Sequence, residues 1–505
     1  MSSTVLFAFV IGYFLLLLGV AWLTSRNSTN DSFFIGNKRS HWLLVAFGMI
    51  GTSLSGVTFV SVPGTVGDFT AAGVPKAFTY FQVVIGYIFG YAAIAYVLIP
   101  LYYRMNLTSI YHYLDHRLGR HAYKTGALFF IVSRTVGATA RLYLVINVLQ
   151  LFILDSLRIP FTVTAAVILL MILLYTFEGG VKTIVYTDTL QTSFMLLGLV
   201  VCIGWILSKT GLSLGGALET LGDRGFTRIF DTDPMSRTFF LKHMVGGAVI
   251  ALTMTGLDQE MMQKNISVRT MAGSQKNIMT FTTVLVIVNF LFLLLGGLLY
   301  LYVEAQGGVL GDRQFLLAGR NVIGDDIFPY VAMNLLPQWV SIVFIIALIS
   351  ALFPSADGAL TALTSSFCID ILGIRRREGL DEAGQRRIRR RVHLSLTVVF
   401  MLCILVFKWI DNKSIINIIL DLAGYTYGPL LGLFFFGILT RRRLHDGPAV
   451  VLVSLASPVL CYLLSRNAPH WFGGYQIGLE LLLINGLITY AGLWALSTRA
   501  ASQAA

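Results

Sequence analysis

The chain has 505 residues, of which 56% are hydrophobic and only 12% are charged, and its mean hydropathy is +0.76. Soluble domains carry about 25% charged residues, so this composition excludes a soluble enzyme and predicts a polytopic membrane protein. The formal net charge of +12 could suggest a nucleic-acid partner. We interpret it instead as the excess of basic residues that cytoplasmic loops of membrane proteins carry, and expect a lipid bilayer and no nucleic acid.

Apolar runs between charged or polar gaps predict thirteen membrane spans in a single membrane domain, residues 1–505. The first run lacks a preceding basic stretch and is long enough to span, so we expect an N-terminal helix and no cleaved signal peptide. The spans lie at approximately residues 4–24, 42–67, 77–103, 123–154, 159–177, 185–208, 240–260, 277–303, 337–373, 392–409, 414–440, 447–465 and 474–497.

A basic cluster between the ninth and tenth spans sets the expected orientation. It comprises Arg375–Arg377 and Arg386–Arg391. The positive-inside rule then puts the N-terminus outside and the C-terminus in the cytoplasm, in a bacterial-type inner membrane. We interpret the cluster as a topological anchor and not as a site for a particular lipid. The cysteines lie in apolar runs, without metal-ligand spacing, and are expected to be buried free thiols: Cys202, Cys368, Cys403 and Cys461.

The second span, Trp42–Gly67, is interrupted by glycines and hydroxyl residues at Gly51–Gly56. Small residues can form a packing face between membrane helices, or they can mark an unwound helix whose carbonyls face a transport site. A second interruption is predicted at Thr253–Gly256. The segments 42–208 and 240–440 each contain five predicted spans and each begin with an interrupted one, so they must run in opposite directions. This inverted arrangement favours the transport-site interpretation.

Five motifs occur in an order that resembles the sodium:solute symporter family, the group of glucose, proline, sialic acid and iodide cotransporters. The resemblance covers residues 30–440. Each motif adjoins or lies within a predicted span: DSFFIGNKR at Asp31–Arg39, PLYYRMNLTSIYHYLDHRLG at Pro100–Gly119, EGGVKTIVYTDTLQ at Glu178–Gln191, TGLDQ at Thr255–Gln259 and SALFPSADGALT at Ser350–Thr361.

The resemblance implies an all-α, LeuT-like fold with a five-plus-five inverted repeat. The extra N-terminal helix would be 4–24, the two repeats 42–208 and 240–440, and two C-terminal helices would lie within 447–497. It also implies a sodium-coupled symporter that imports a small polar solute by alternating access. No obligate protein partner is expected.

By the same resemblance, the interrupted second span would donate the carbonyl oxygens of Gly51 and Leu54 to a sodium ion. The ninth span would add the carbonyl of Ala351 and the hydroxyl of Ser355. Oxygens of this kind suit a hard cation, and neutral carbonyls add no charge to the lipid interior.

Position 354 departs from the family, because this chain has Pro354 where a serine is usual. One hydroxyl ligand is therefore missing. A proline also frees the carbonyl four residues earlier, and that carbonyl or the hydroxyl of Thr361 could replace the ligand. Sodium coupling is the expectation, and proton coupling remains the alternative.

Asp188 is a carboxylate one turn inside a span, which by default indicates function. In some family members the equivalent aspartate helps to hold a second sodium ion. The alternative is a structural ion pair with Lys182 or Arg141. Asp357, one turn after Pro354, could likewise bind an ion, but a polar contact between helices is the favoured interpretation.

The predicted solute contacts combine hydroxyls, an amide and one positive charge. In sialic acid transporters of the family, an arginine matching Arg141 meets the substrate carboxylate, and a guanidinium suits such bidentate recognition. Arg141 lies two turns after Arg134 and could instead pair with protein groups. The apolar residues Ala251 and Met254 argue against a glucose-like solute. The predicted solute-binding residues are Ser53, Ser55, Thr58, Gln82 and Arg141.

Other functional classes find little support in the sequence. It contains no HExxH, GxSxG or phosphate-loop motif, so we expect no enzyme. We therefore predict a sodium-coupled importer of a small polar solute, and favour a carboxylate such as sialic acid or another organic acid. The alternative is a sodium- or proton-coupled symporter of a neutral sugar or polyol.

Overall fold

A computed structural model describes residues 3–25, 33–34, 38, 40–70, 73–311, 314–317, 319–376, 379–410 and 415–498. Most of the motif Asp31–Arg39, residue Arg377 and the last residues of the chain lie outside this part. The α-helices are α1 (Ser3–Ser25), α2 (Trp42–Ser53), α3 (Gly56–Thr65), α4 (Tyr80–Ala93), α5 (Ile99–Arg104), α6 (His112–Arg117), α7 (Arg120–Leu149), α8 (Phe161–Thr210), α9 (Leu214–Asp223), α10 (Phe240–Ala251), α11 (Gln259–Ile266), α12 (Met271–Ala305), α13 (Ile327–Asn334), α14 (Gln338–Ser366), α15 (Glu382–Ile410), α16 (Ile415–Thr426), α17 (Gly428–Leu439), α18 (Pro448–Trp471) and α19 (Leu481–Ala495).

Shorter helical turns extend or connect several of these helices. The π-helical turns are Ile94–Leu98, Gln150–Leu154, Leu252–Gly256 and Phe367–Ile371. The 3₁₀ turns are Ala77–Thr79, Asp155–Leu157, Gly324–Asp326 and Ile374–Arg376.

Each predicted apolar run contains helix. In the described residues, seven single helices and three bent pairs are long and apolar enough to cross a membrane. Three further apolar helices, Ala8–Thr24, Phe161–Phe177 and Leu481–Ala495, are shorter. The count of thirteen crossings and the boundaries of the two repeats therefore remain predictions.

The bent pairs identify where the spans are broken. The pair α2–α3 bends by 57°, Phe240–Gly256 with α11 bends by 64°, and Ile419–Thr426 with α17 bends by 44°. The first bend lies within the predicted interruption. The second lies just beyond its predicted position, because Thr253–Gly256 belongs to a π-helical turn and the break follows at Leu257 and Asp258. The Asp258 side chain accepts from the backbone N–H groups of α11 and so begins a new helix there.

The predicted fifth and sixth spans meet at Gly180 within α8. Gly180 has φ 54° and ψ −154°, a conformation that residues with a side chain rarely adopt. A Cβ atom at this position would also overlap Phe33. Both constraints require glycine at this bend.

The core forms around α14, whose residues are almost all buried. It packs against α8, α7, α15 and α2, while α12 packs against α2 and α3 and α10 packs against α4. The broken pair α2–α3 is therefore enclosed by other helices and not by lipid.

Two small antiparallel sheets accompany the helices. Strands β1 (Val309–Gly311), β2 (Gln314–Leu317) and β3 (Arg320–Asn321) pair in order, and β4 (Arg443–Leu444) pairs with β5 (Ser497–Thr498). The predicted loop 209–239 contains α9, and the predicted loop 304–336 contains the first sheet and α13. All four cysteines are free, and three are buried while Cys403 is half-buried.

Candidate functional site

The first break leaves backbone oxygens without hydrogen bonds. Helix α2 ends at Ser53, and Leu54 has φ −86° and ψ 70°, outside the helical region. The N–H of Leu54 still bonds to Ile50, and the N–H of Phe59 resumes the pattern at Ser55. In the described part of the chain, no donor reaches the carbonyl oxygens of Gly51 and Leu54. These are the two carbonyls that were predicted to bind sodium, and both are free to face a cation.

Glycines let this break approach its neighbours closely. A Cβ at Gly56 would overlap Val145 on α7 and would lie 3.8 Å from the carbonyl oxygen of Ala351. A Cβ at Gly51 would overlap Thr192 on α8 and would lie 3.5 Å from Pro354. The break therefore packs against α14 at Ala351 and Pro354, beside the other predicted sodium ligands.

On α14, Pro354 changes which oxygens are available. It lies inside the helix and has no N–H, so it leaves the carbonyl of Ser350 without its usual helical donor. The Ser355 hydroxyl donates to the carbonyl of Leu352 at 3.0 Å and keeps its lone pairs for a cation. The buried hydroxyl of Thr361 has no described partner. The oxygens present fit a sodium ion, although the serine usual at 354 is absent.

Asp188 is completely buried and forms an ion pair with Lys264, a partner that the sequence analysis did not name. Its Oδ2 atom accepts from Lys264 Nζ at 2.7 Å and from Thr52 Oγ1 at 3.3 Å. The described partner is therefore Lys264 and not Arg141, while the side chain of Lys182 lies outside the described part. Position 264 follows the TGLDQ motif but has no sequence relation to position 188, so only the fold brings the two together.

Asp357 connects two helices. Its Oδ2 atom accepts from Tyr175 Oη on α8 at 2.7 Å, and its Oδ1 atom accepts from the next backbone N–H. These bonds agree with the polar contact between helices that the sequence favoured. In the described residues, no basic side chain forms an ion pair with it.

A cavity of about 90 Å³ lies beside the first break. Four of the five predicted solute contacts line it, together with three tyrosines, two threonines and Arg134, which the sequence analysis did not select as solute contacts. Aromatic residues on α4 carried no motif, so their position could be found only from packing. The polar lining residues are Thr52, Ser53, Ser55, Thr58, Tyr80, Tyr87, Tyr91, Arg134, Arg141 and Thr255.

The fifth predicted contact, Gln82, does not line this cavity, and its hydrogen bonds argue against a role in solute binding. Its amide nitrogen donates to the carbonyls of Thr79 and Thr238 at 2.9 and 3.2 Å and lies 3.3 Å from Nδ1 of His243. Its amide oxygen accepts from the N–H of Asp231 at 3.1 Å. Buried and fully bonded, Gln82 holds α4, α10 and the preceding loop together.

Arg134 and Arg141 both reach the cavity, but only one has an ion-pair partner there. Arg134 forms an ion pair with Glu260, and its Nε atom lies 3.8 Å from Asp258. For Arg141, no ion pair with a described carboxylate is present. Its guanidinium is thus a positive charge at the wall of the cavity that the described residues do not neutralise.

A larger cavity of about 670 Å³ adjoins the small one. Tyr80 and Leu420 line both cavities and separate them. Charged residues around the larger cavity include Lys76, Arg228 and Asp231. The two cavities are therefore neighbours at Tyr80 and Leu420.

Comparison with known proteins places this arrangement in a family. The model of the Sodium:solute symporter family matches residues 33–451. The chain is 24% identical to the Sodium/sialic acid symporter SiaT of Proteus mirabilis, over 96% of this chain and 94% of that protein. It is 25% identical to the Sodium/sialic acid symporter NanT of Aliivibrio fischeri, over 94% and 90%. The human Sodium-coupled monocarboxylate transporter 1 is 24% identical over 86% and 68%.

A solved structure, the substrate-bound outward-open state of a Na⁺-coupled sialic acid symporter, superposes with a TM-score of 0.81. It is 20% identical and covers 98% of this chain and 99% of its own, which establishes the LeuT-like fold. The family match extends over the broken helices, the cavity and α14. The chain therefore belongs to the sodium:solute symporter family and is a membrane protein that couples solute transport to sodium.

Proposed function

We propose that this symporter imports a small solute with a single carboxylate, which the Arg141 guanidinium recognises. The observation that carries the proposal is the position of Arg141, at the cavity and without an ion pair to a described carboxylate. A half-buried charge without a counter-charge is costly to hold at a cavity wall, and an anionic solute offsets that cost with a charge-assisted, bidentate contact. A neutral sugar or polyol has no negative charge to pair with Arg141 and would leave this cost uncompensated.

One accessible positive charge favours one carboxylate. Arg134, the other arginine at the cavity, is already neutralised by Glu260 and Asp258. A dicarboxylate would therefore bring one negative charge without a partner into a buried site. Two named relatives are symporters for sialic acid and one is for monocarboxylates, and sialic acid also has a single carboxylate.

The rest of the cavity offers both hydrogen bonds and apolar contact. We propose that Ser53, Ser55 and Thr58, at and after the break, meet the polar groups of the solute. Apolar residues also line the cavity and can pack against the carbon skeleton of the solute. These apolar residues include Ile250, Ala251, Met254, Ile419 and Leu420.

The driving ion would be sodium at the first break. We propose Gly51, Leu54, Ala351 and Ser355 as its ligands, on the support of the free carbonyls and their packing against α14. Sodium and solute would stabilise the same arrangement of α2 and α3, so each must increase the affinity for the other by the same factor. A potential of 100 mV supplies about 2.3 kcal/mol per charge moved.

We also propose the cell setting and the organisation of the chain. The protein would lie in a bacterial inner membrane with its N-terminus outside and its C-terminus in the cytoplasm, supported by the basic residues before and within α15. The repeats would be 42–208 and 240–440, each beginning with a broken helix. The proposed cycle moves the solute unchanged and assigns no residue a catalytic role.

Uptake by proteoliposomes tests the proposal. Radiolabelled sialic acid and small monocarboxylates should accumulate under an inward sodium gradient and not under a proton gradient alone. The amides or methyl esters of the same acids are the matched controls, and they should neither accumulate nor compete. If glucose or myo-inositol is transported and the acids are not, the proposed solute class is wrong.

A further inference from the structure

Lys264 is a buried cation that has no role in the transport cycle proposed above. It lies on α11, just after the second break, and is 2% exposed. Its Nζ atom is 2.7 Å from Asp188 Oδ2, 2.5 Å from Thr52 Oγ1 and 3.6 Å from Glu260 Oε1. These three oxygens come from α8, α2 and α11.

Carboxylate and hydroxyl oxygens are also the ligands that a hard metal cation prefers. A sodium ion on Asp188 would have to share that carboxylate with the ammonium group. At about 5 Å, two like charges repel by roughly 3 kcal/mol at an effective dielectric constant of about 20. The lysine and a metal ion therefore compete for Asp188.

We infer that the ammonium group of Lys264 permanently takes the place of a second sodium ion at Asp188, so that one sodium ion accompanies each solute. The inference rests on the proposed sodium site at Gly51 and Leu54, which would supply that single ion. It replaces the expectation that Asp188 itself binds sodium.

The same contacts give the lysine a mechanical role. Thr52 belongs to the first broken helix and Lys264 to the second, and Asp188 joins both to α8. A lysine ammonium is a compact charge with three donors; it donates to Asp188 and Thr52, while Glu260 Oε1 lies nearby at 3.6 Å as an ion-pair partner. In a protein that relied on a second sodium ion, this connection would form and dissolve with the ion. Here it is independent of sodium concentration.

Direct sodium binding to the purified full-length protein tests the inference without a solute. Wild-type protein should bind one sodium ion per chain in equilibrium dialysis with radioactive sodium. Lys264→Met removes the ammonium and leaves the Asp188 carboxylate free, so this variant should bind two. The double variant Asp188→Asn with Lys264→Met keeps neither charge and should again bind one.

Flux measurements provide a second readout that needs no variant. Wild-type proteoliposomes should move one sodium ion for each solute molecule, and the dependence of uptake on sodium should have a Hill coefficient near one. A ratio of two in wild type would overturn the inference, as would folded Lys264→Met protein that still binds a single sodium ion. Failure of the proposed solute class would appear differently, as absent uptake of carboxylates with unchanged sodium binding.

Discussion

Arg134 and Arg141 lie two turns apart on α7, and both reach the same cavity, yet their surroundings differ. Glu260 and Asp258 of the second broken segment neutralise Arg134. No described carboxylate pairs with Arg141. The second break thus supplies the carboxylates that pair with Arg134. The first break supplies only neutral carbonyls and hydroxyls, and no described residue neutralises Arg141.

This difference separates charges that stabilise the fold from charges that are available to a ligand. A buried ion pair satisfies its members within the protein, so its removal affects folding first. A cavity charge without a partner contributes little to folding, and its removal affects binding first. Residue type and spacing do not distinguish the two arginines, because the partners come from a different helix.

The largest expected effect follows from breaking the internal pair. Arg134→Met leaves two buried carboxylates without their arginine and should lower the free energy of unfolding by about 3–5 kcal/mol. Thermal unfolding of the purified protein in detergent measures this loss. Adding Glu260→Gln removes one of the stranded charges and should recover part of it. If Arg134→Met unfolds like wild type, the comparison between the two arginines fails.

The next-largest effect is expected at Arg141, whose charge has no described carboxylate partner. Arg141→Lys keeps the charge but loses the bidentate geometry, and should raise the KM for a carboxylate solute by about 10- to 100-fold, or roughly 1.5–3 kcal/mol. The melting temperature should change little. Arg224→Lys, in an exposed pair with Glu304, is the matched control and should leave KM unchanged. A silent Arg141→Lys variant would instead mean that Arg141 is structural.

Gln82 offers a polar residue outside the cavity for the same comparison. Gln82→Leu leaves half-buried backbone groups of Thr238 and Asp231 without this partner, which should cost about 1–3 kcal/mol of stability. The KM for the solute should stay within about twofold of wild type, because Gln82 does not line the small cavity. A rise in the KM for the solute without loss of stability would indicate that Gln82 does contact the solute.

The smallest effect is expected at the ion ligands, because each supplies one oxygen among several. Ser355→Ala should raise the sodium concentration for half-maximal uptake by roughly 3- to 10-fold, about the value of one hydrogen-bond-like contact. Pro354→Ser restores a hydroxyl beside it and should lower that concentration. Uptake that ignores sodium in all three proteins would contradict the proposed ion site.

The sequence predicted well those features that are local in the chain. Glycines and hydroxyls at Gly51–Gly56 predicted a break that the structure has at Leu54. The second break was predicted slightly too early. The prediction followed the small residues Thr253 and Gly256, whereas the chain breaks just beyond them, before the aspartate that begins α11. Local backbone chemistry thus locates a break to within a few residues.

Long-range pairs could not be predicted in the same way. The partner of Asp188 is 76 residues away in the sequence, at Lys264. Gln82 was predicted to contact the solute, but a loop before α10 folds back and forms hydrogen bonds with it. The tyrosines of the cavity belong to an apolar helix without a motif. Each of these facts depends on which helices become neighbours.

The larger cavity has an electrical consequence. Under the proposed orientation it lies on the outer side, and it shares Tyr80 and Leu420 with the small cavity. An aqueous cleft keeps its walls close to the potential of the outer solution, so the membrane voltage falls mostly across the packed protein below. A sodium ion that reaches Gly51 has then crossed little of the electric field. Voltage should therefore accelerate its release into the cell much more than its arrival.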